Sequence, residues 1–244
     1  MLGEGQDAYG RAMLDHLDGR GGEEIVERDD GFLYSGAGPE VYLAPYRRWA
    51  IHERRCMRWV RGKVLDVGCG AGRVTKHLRD RGHEVRGFDV SPLAIEACRR
   101  RGIGEVEVRS ITGIGREMGT FDTIAMLGSN LGLLGDAARA RRLLLRMHRM
   151  TGETGRIVAS TRDPHATDDP LDLEYLRRNE LRGRLPGQWR IRIRYRDLRT
   201  PWFDHLTVSG AELARLLDGT GWRIDRLEQG PAGRYSALIL KDAS

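Results

Sequence analysis

The stretch VLDVGCGAGR, residues 64–73, joins a short apolar strand to a glycine-rich turn. Its glycines recur at every second position, at Gly68, Gly70 and Gly72. Such glycines permit positive φ angles and let a nucleotide approach the backbone closely. A dinucleotide-binding G-x-G-x-x-G turn would need its last glycine where Arg73 stands, so the spacing disfavours that class. An acidic residue, Asp66, lies inside the strand just before the turn.

Alternating strand and helix patterns surround the glycine turn. Apolar runs predict five strands, at 63–67, 84–88, 105–109, 121–127 and 156–161. Amphipathic segments between them predict helices at 74–81, 91–101 and 136–150. Ser91 followed by Pro92 is typical of a helix start, because the hydroxyl can cap the helix and proline fits its first position. Repeated units of this kind predict a parallel sheet with helices on both faces.

The C-terminal part of the chain follows a different pattern. Ser209 can cap a helix, and two strands are expected at 222–229 and 234–241. Because only a short turn separates these strands, we expect them to pair antiparallel. Residues 209–244 are therefore assigned, together with residues 62–161, to one α/β domain.

The segment before this domain, residues 1–61, is expected to form a helical N-terminal extension. Helical spacing of apolar residues predicts helices at 8–17 and 45–60. Between them, residues 31–39 form a loop rich in glycine and proline.

Residues 162–208 are expected to form an inserted cap with an antiparallel β-hairpin. Residues 189–197 and 203–208 alternate between apolar and polar side chains, as half-buried strands do. The alternation places four arginines on one face of the first strand: Arg190, Arg192, Arg194 and Arg196. Like charges in a row repel one another unless they are solvated or paired. A solvated face and a surface for an anionic substrate or acidic partner both remain open.

The strand, the three alternating glycines, the following helix and the acid Asp89 after the second strand resemble the class I S-adenosylmethionine-dependent methyltransferases. The resemblance covers residues 62–161 most fully. It implies a Rossmann-like, doubly wound sheet of seven mainly parallel strands with an antiparallel last strand. It also implies S-adenosyl-L-methionine as cofactor and S-adenosyl-L-homocysteine as product.

The resemblance assigns cofactor-binding roles to residues at the first two strand ends. Gly68, Gly70 and Gly72 would wrap the methionine part and the ribose, with Cys69 among them. Asp66 would lie near the ligand's ammonium group. Asp89 would accept hydrogen bonds from both ribose hydroxyls, since a carboxylate offers two acceptors to adjacent donors. Val90 would line the same site.

Later parts of the chain complete the cofactor site that the resemblance implies. Ser110 and Ile111 fall beside the adenine, where many relatives carry an acid that this sequence lacks. Leu127 and Gly128 open a loop, residues 127–135, that in relatives passes beneath the methionine part and faces the substrate.

Catalytic candidates are fewer, because a sulfonium methyl group is already activated and a base is needed only for a protonated nucleophile. His165 follows the fifth strand and is the candidate base, since its pKa lies near neutrality; the alternative is a turn that caps the helix near Pro170. Asn130 could bind a substrate amine or orient the methionine carboxylate, or could stabilise a turn. Tyr42 and Tyr46 could close over the cofactor or pack in the core.

The basic charge of the chain carries limited information about partners. The net charge is +6, and lysine occurs only at Lys63, Lys76 and Lys241, so arginine supplies most of it. Nucleic-acid binding needs basic residues that cluster in space. We therefore expect a small-molecule substrate and leave nucleic acid as the less favoured partner. Neither a monomer nor a homodimer is favoured.

The location and metal content follow from composition. No apolar run approaches the ~20 residues that cross a bilayer, so we expect no membrane partner and a cytoplasmic location. Cys56, Cys69 and Cys98 form no C-x-x-C pair, which argues against a disulfide framework, a zinc site or any other metal site.

The sequence is compatible with three functions. The first is methyl transfer to nitrogen or oxygen of a small molecule. The second is RNA methylation, which the charge favours. It is disfavoured because GSN stands in the 127–135 loop where an N-P-P-[YFW] or D-P-P-[YFW] motif would mark amino methylation of nucleic acids. The third is a protein that binds an adenosyl ligand without catalysis.

Overall fold

The computed structural model describes residues 2–242 of the protein. Within these residues the strands are β1 (Ile25–Arg28), β2 (Leu33–Ser35), β3 (Val64–Val67), β4 (Val85–Asp89), β5 (Val106–Val108), β6 (Phe121–Met126), β7 (Thr151–Arg162), β8 (Gln188–Tyr195), β9 (Leu198–Arg199), β10 (Phe203–Leu206), β11 (Trp222–Gln229) and β12 (Arg234–Lys241). The α-helices are α1 (Ala8–Leu17), α2 (Pro39–Tyr42), α3 (Ile51–Cys56), α4 (Arg73–Asp80), α5 (Pro92–Arg100), α6 (Ala137–Arg149), α7 (Pro170–Leu181) and α8 (Gly210–Leu217).

The larger sheet has seven strands in the order β11-β12-β7-β6-β3-β4-β5. β4 pairs with β5 and β6 with β7 in parallel, whereas β12 is antiparallel to both β7 and β11. The predicted α/β fold, a mainly parallel seven-stranded sheet with an antiparallel last strand, is confirmed. β7 begins at Thr151, earlier than predicted, because a shift in its register with β6 accommodates the glycine-rich segment before Arg156.

A second sheet has the order β10-β8-β1-β2, with β9 also paired to β8. The expected helical N-terminal extension, residues 1–61, also contains the strands β1 and β2, which the sequence did not predict. The expected hairpin is part of a larger sheet. β1 has only four residues, and it pairs along its length with β8: Val26 lies opposite Ile193, and Glu27 opposite Arg192. Short strands of this kind depend on such distant partners, which no local pattern reveals.

The arginines of β8 are paired with acidic residues of the N-terminal segment. Two nitrogens of Arg192 each donate to a carboxylate oxygen of Glu27 at 2.8 Å, and Arg194 donates to Glu27 at 3.4 Å. Nη2 of Arg196 lies 3.1 Å from Oδ2 of Asp15. The positive charges of these three arginines are therefore balanced by carboxylates of the same chain. This weakens the hypothesis that this face binds an anionic substrate.

The single helix predicted over residues 45–60 is divided into three pieces. A 3₁₀ helix at Tyr46–Arg48 precedes α3, and another at Met57–Trp59 follows it. The break lies at Trp49, whose backbone is extended and whose indole N–H donates to the Ala44 carbonyl oxygen at 2.8 Å. The Trp49 ring also contacts His77 and Arg73 of α4, and these tertiary contacts override the local helical spacing.

The starts of α1 and α5 are joined by Asp7 and Ser91, both almost fully buried. Asp7 caps α1 by accepting from the Gly10 N–H at 3.0 Å, and it also accepts from the Ser91 hydroxyl at 2.6 Å. Ser91 caps α5 by accepting from the Ala94 N–H at 2.9 Å, as its sequence predicted. A side chain at Gly10 would overlap the Ser91 hydroxyl, so glycine is required where the two helices meet.

The chain forms two compact units. The first unit contains Asp66–Gly113, Arg190–Phe203 and the residues up to Trp49. The second unit contains Ala50–Leu65, Ile114–Trp189 and the residues from Asp204 onward. Every helix within residues 2–242 is too short or too polar to cross a bilayer.

The contact at Gly10 generates a stability prediction. Alanine is normally favoured over glycine inside a helix by ~1 kcal/mol, but in Gly10→Ala the new methyl group would meet Ser91, Ala94 and Asp7. We expect urea denaturation to give a free energy of unfolding lowered by about 1–3 kcal/mol. Gly5→Ala, which has nothing within 4 Å of the new methyl group, is the control and should be nearly neutral. An increase in stability in Gly10→Ala would contradict the contact.

Candidate functional site

The glycine turn of the first unit has the backbone geometry that its sequence predicted. Gly68, Gly70 and Gly72 have φ angles of 68°, 54° and 79°, a region that favours glycine. A Cβ at Gly70 would lie 2.6 Å from the Tyr9 hydroxyl, and one at Gly72 would overlap Ile103. The turn is therefore a cradle that only glycine can form.

Asp89, at the end of β4, holds this turn in place. Its Oδ2 accepts from the Gly70 N–H and its Oδ1 from the Ser91 N–H, both at 2.9 Å. Burial raises the pKa of this carboxyl, and the two backbone donors oppose that shift. Each carboxylate oxygen can accept more than one hydrogen bond, so Asp89 keeps acceptor capacity for a ligand.

Asp66 lies deeper, inside β3, with 1% of its surface exposed. Its Oδ2 accepts from the Thr75 hydroxyl at 2.6 Å. Burial raises the pKa of Asp66 to about 6, while hydrogen bonds from Thr75 and the positive charge of Arg73 favour the ionised form. The carboxyl therefore changes charge close to neutral pH.

Tyr9, Tyr42 and the buried acid Glu24 form a connected group that begins beside the glycine turn. The Tyr9 ring packs edge-on against Tyr42, with centroids 5.0 Å apart. The Tyr42 hydroxyl donates to Oε1 of Glu24 at 3.0 Å. Glu24 is 1% exposed, and its Oε2 has no hydrogen-bond partner within residues 2–242. Burial raises the pKa of Glu24. No sequence pattern indicated Tyr9 or Glu24, because only the fold brings Tyr9 to Gly70 and Glu24 to Tyr42.

Tyr46 has a different environment from Tyr42. Its ring stacks on His77 of α4 at 4.1 Å and packs edge-on against Trp49. The guanidinium of Arg73 lies 4.4 Å from the Trp49 ring centroid. Tyr46 is therefore part of an aromatic cluster on α4, and its proposed contact with a cofactor stays a prediction.

The remaining predicted cofactor residues of the first unit differ in exposure. Cys69 is buried, and its backbone N–H donates to the Phe88 carbonyl oxygen at 2.9 Å. Val90 is 39% exposed next to Asp89. The Ser110 hydroxyl is bonded to that of Thr112 at 2.9 Å, and Ile111 is buried. Only Val90 of this set presents a largely exposed side chain.

In the second unit, a buried acid holds the loop after β6. Oε1 of Glu53 accepts from the Gly128 N–H at 2.6 Å and from the Ser160 hydroxyl at 2.9 Å. The Ser129 N–H in turn donates to the Ser160 hydroxyl at 3.0 Å. Ser129 has a φ of 66°, which is unusual for a residue other than glycine. Glu53 was not among the predicted site residues, because its place in α3 reveals no partner.

The other residues of that loop have separate roles. Leu127 is buried, and Asn130 begins a 3₁₀ helix, Asn130–Leu134. The His205 ring packs against Gly132. Burial lowers the pKa of His205 to about 4, although a hydrogen bond with the Ser129 backbone opposes the shift. His205 is therefore neutral at physiological pH.

His165 is tied to the start of α8. Its Nε2 lies 3.0 Å from Oε1 of Glu212, and its side chain is 47% exposed. Glu212 accepts from the Ser209 N–H and belongs to the capping box of α8. This contact gives His165 a structural role, and its role as a base stays a prediction. Among the described residues, no three His, Cys, Asp or Glu side chains are grouped to hold a metal ion.

Comparison with known proteins agrees with this geometry. Residues 64–155 match the family model of a methyltransferase domain. A 2-heptyl-1-hydroxyquinolin-4(1H)-one methyltransferase of Mycobacteroides abscessus is 34% identical over 104 residues, which cover 37% of this chain and 45% of that protein. The chain spans less than half the length of the curated relatives it matches.

Solved structures share the fold at low sequence identity. A SAM-dependent methyltransferase from Bacteroides fragilis, in complex with S-adenosyl-L-homocysteine, has a TM-score of 0.85 and 21% identity, covering 100% of this chain and 98% of that chain. One from Methanosarcina mazei has a TM-score of 0.59 and 17% identity, covering 77% and 97%.

The sheet order and the glycine turn after β3 define a Rossmann-like fold, which these two solved structures share.

The buried carboxyl of Asp66 generates a pH prediction. Its pKa is higher in the folded protein than in the unfolded chain, so the folded state is favoured while the carboxyl is protonated. This contribution to the free energy of unfolding is complete below about pH 4 and is lost as the pH rises through about 6. The loss amounts to about 3 kcal/mol. In Asp66→Asn this loss is absent, so the variant should gain that amount over the native protein between pH 4 and pH 7. Urea denaturation measures the free energy of unfolding of both proteins against pH. If the two curves run parallel, the raised pKa of Asp66 is contradicted.

Proposed function

We propose that this protein is an S-adenosyl-L-methionine-dependent methyltransferase. It moves a methyl group by in-line displacement to a nitrogen or oxygen of a small-molecule acceptor, and S-adenosyl-L-homocysteine is the product. The observation that carries the proposal is the glycine cradle held by Asp89, whose carboxylate keeps acceptor capacity beside Gly70. Hydroxyls of a ribose are matched donors for such an acceptor.

The residues present fit this cofactor. Gly68, Gly70 and Gly72 hold the positive φ angles of a turn whose backbone, free of side chains, a ligand can approach closely. Asp89 would accept hydrogen bonds from the ribose hydroxyls. The Asp66 carboxylate would attract the ammonium group of the ligand's methionine part. An anionic Asp66 suits a cationic ligand, because a nearby positive charge would offset the cost of its burial. Val90 is exposed next to Asp89 and would contact the adenosine part.

When bound, the cofactor supplies a methyl group activated by a positive sulfonium. The chain then has to position the acceptor, exclude water and accept a proton where the nucleophile carries one. The Tyr9 hydroxyl lies over Gly70 and would contact the ligand's amino-acid part. Glu24 has an unpartnered oxygen and a raised pKa. It accepts from the Tyr42 hydroxyl, and the Tyr42 ring packs against Tyr9. These properties support Glu24 as the proton acceptor, ahead of the exposed His165.

A small-molecule acceptor is supported by three observations. The Mycobacteroides relative is by its name a methyltransferase of a hydroxyquinolone. Arg192, Arg194 and Arg196 are engaged with acids of the same chain and are not free for the phosphates of RNA. In the 127–135 loop, GSN stands where an N-P-P-[YFW] motif would mark amino methylation of nucleic acids. Residues 162–208 remain the proposed substrate cap.

Turnover with a panel of acceptors tests the proposal. The purified chain is incubated with S-adenosyl-L-methionine and with hydroxylated heteroaromatics, amines or single-stranded RNA, and S-adenosyl-L-homocysteine is measured by mass spectrometry. Acceptor-dependent product with small molecules is expected. Product with RNA alone would instead establish an RNA methyltransferase, and tight adenosyl binding without any turnover would favour the non-catalytic alternative.

Asp89 generates a binding prediction. Asp89→Ala removes hydrogen bonds to a charged acceptor, each worth about 1.5–3 kcal/mol, so the affinity for S-adenosyl-L-homocysteine should fall at least about tenfold. Asp80→Ala, on the exposed side of α4, is the control and should bind normally. Calorimetry measures both, and circular dichroism checks that each variant is folded. Unchanged affinity in a folded Asp89→Ala would show that Asp89 is not part of the site. If the native protein bound a nicotinamide dinucleotide tightly and no adenosyl ligand, the proposed cofactor would be wrong.

The two candidate proton acceptors give different kinetic predictions. Glu24→Gln should lower kcat about 100-fold or more, remove the rise of kcat with pH and leave the affinity for S-adenosyl-L-homocysteine unchanged. Glu23→Gln is the neighbouring control. His165→Gln should keep most of the activity, since its imidazole is bound to Glu212. The reverse result, activity lost in His165→Gln and kept in Glu24→Gln, would make His165 the base.

A further inference from the structure

Four of the eight residues that line a cavity of about 380 Å³ in the second unit are arginines. Arg58 and Trp59 belong to the 3₁₀ helix that follows α3, Arg156 lies in β7, and Arg226 lies in β11. Arg61 completes the basic wall, and Asp225 is the acid that lines the cavity. None of these residues has a part in the proposed methyl transfer.

Arg156 is a buried cation whose hydrogen-bonding groups are poorly satisfied. It is only 8% exposed, yet its Nε has no hydrogen-bond partner within residues 2–242. Its two terminal nitrogens reach only the carbonyl oxygens of Trp59 and Thr154, each at the long distance of 3.4 Å. In the part of the chain that the structure describes, no carboxylate forms an ion pair with it. A buried guanidinium without a counter-charge is costly, so natural proteins generally provide one.

The surrounding charges leave a positive surplus. Arg226 is paired with Asp225 at 3.3 Å, and Arg58 with Glu228 at 3.0 Å. Arg61 and Arg156 have no carboxylate within ion-pair distance among residues 2–242. Burial and the charge of Arg61 lower the pKa of Arg156, and the more distant Asp122 and Asp225 only partly oppose this shift. Two uncompensated guanidinium groups match a ligand group with two negative charges.

The other walls of the cavity indicate what the anion is attached to. Leu238 and Leu240 of β12 form an apolar side, and the Trp59 indole N–H is buried without a partner among the described residues. The cavity therefore offers cationic donors and an apolar surface. Inorganic phosphate would fill only the first of these.

We propose that this cavity, defined by Arg58, Trp59, Arg61, Arg156 and Arg226, is a second binding site that takes a phosphate monoester with an apolar or aromatic body. The phosphate accepts from Arg156 and Arg61, since guanidinium groups bind phosphate oxygens through paired, charge-assisted hydrogen bonds. The apolar body contacts Leu238 and Leu240. The site holds a ligand distinct from the methyl donor, and its occupancy stabilises β7, β11 and β12 around it.

Calorimetry at constant ionic strength tests the site, with phenyl phosphate and inorganic phosphate as probes. Saturable binding of phenyl phosphate, tighter than that of inorganic phosphate, is expected. Arg61→Gln changes an exposed residue that the fold does not need, and it should weaken phenyl phosphate binding at least tenfold. Arg156→Met should abolish binding. Arg142→Gln, an exposed arginine of α6 outside the cavity, should bind as the native protein does.

Three results would overturn the proposal: no saturable binding of phenyl phosphate, equal affinity in Arg61→Gln, or an equal loss in Arg142→Gln. The last would indicate general attraction to a basic protein. Binding of RNA that lacks a terminal phosphate, with the same dependence on Arg61 and Arg156, would also overturn it in favour of a nucleic-acid surface. All variants should keep native affinity for S-adenosyl-L-homocysteine, so failure of this site leaves the proposed methyl transfer intact.

Discussion

The carboxylate of Asp89 is the group on which the arrangement of the glycine turn depends. It accepts from the N–H groups of Gly70 and Ser91, and so joins the end of β4 to the turn and to the start of α5. Ser91 also donates to Asp7, the cap of α1. One strand-end acid therefore fixes the turn directly, and through Ser91 it fixes the helix that places Tyr9 over Gly70. Binding geometry and helix packing are consequences of the same hydrogen bonds.

Buried negative charge is the second constraint on the first unit. Burial raises the pKa of Asp66, Asp89 and Glu24, and Arg73 is the cation that favours the ionised form of Asp66. Holding such carboxylates ionised costs stability unless a positive charge is near. A cationic ligand would supply that charge. The same carboxylates that make the empty fold less stable would thus contribute selectivity for a sulfonium compound over neutral or anionic nucleotides.

Local patterns predicted the elements that local chemistry determines. The strand before the turn, the positive φ of its glycines and the Ser91 cap depend on residues adjacent in sequence, and the structure has all of them. β1 was missed because its four residues are too few for a local pattern, and one of its two partners, β8, is distant in sequence. The single helix predicted over 45–60 was wrong because the Trp49 ring packs against His77 and Arg73, which are distant in sequence. Glu24, Tyr9 and Glu53 could not be identified, since an acid or tyrosine in an ordinary helix or strand carries no sign of its partner.

The central claim is that the glycine turn and Asp89 together hold the adenosyl ligand. A crystal structure of the chain grown with S-adenosyl-L-homocysteine tests it most directly. The account predicts both ribose hydroxyls within about 2.5–3.0 Å of the Asp89 carboxylate, with the amino-acid part of the ligand over Gly70 and in contact with the Tyr9 hydroxyl. A ligand bound elsewhere, or a ribose turned away from Asp89 while the carboxylate contacts only Gly70 and Ser91, would contradict it.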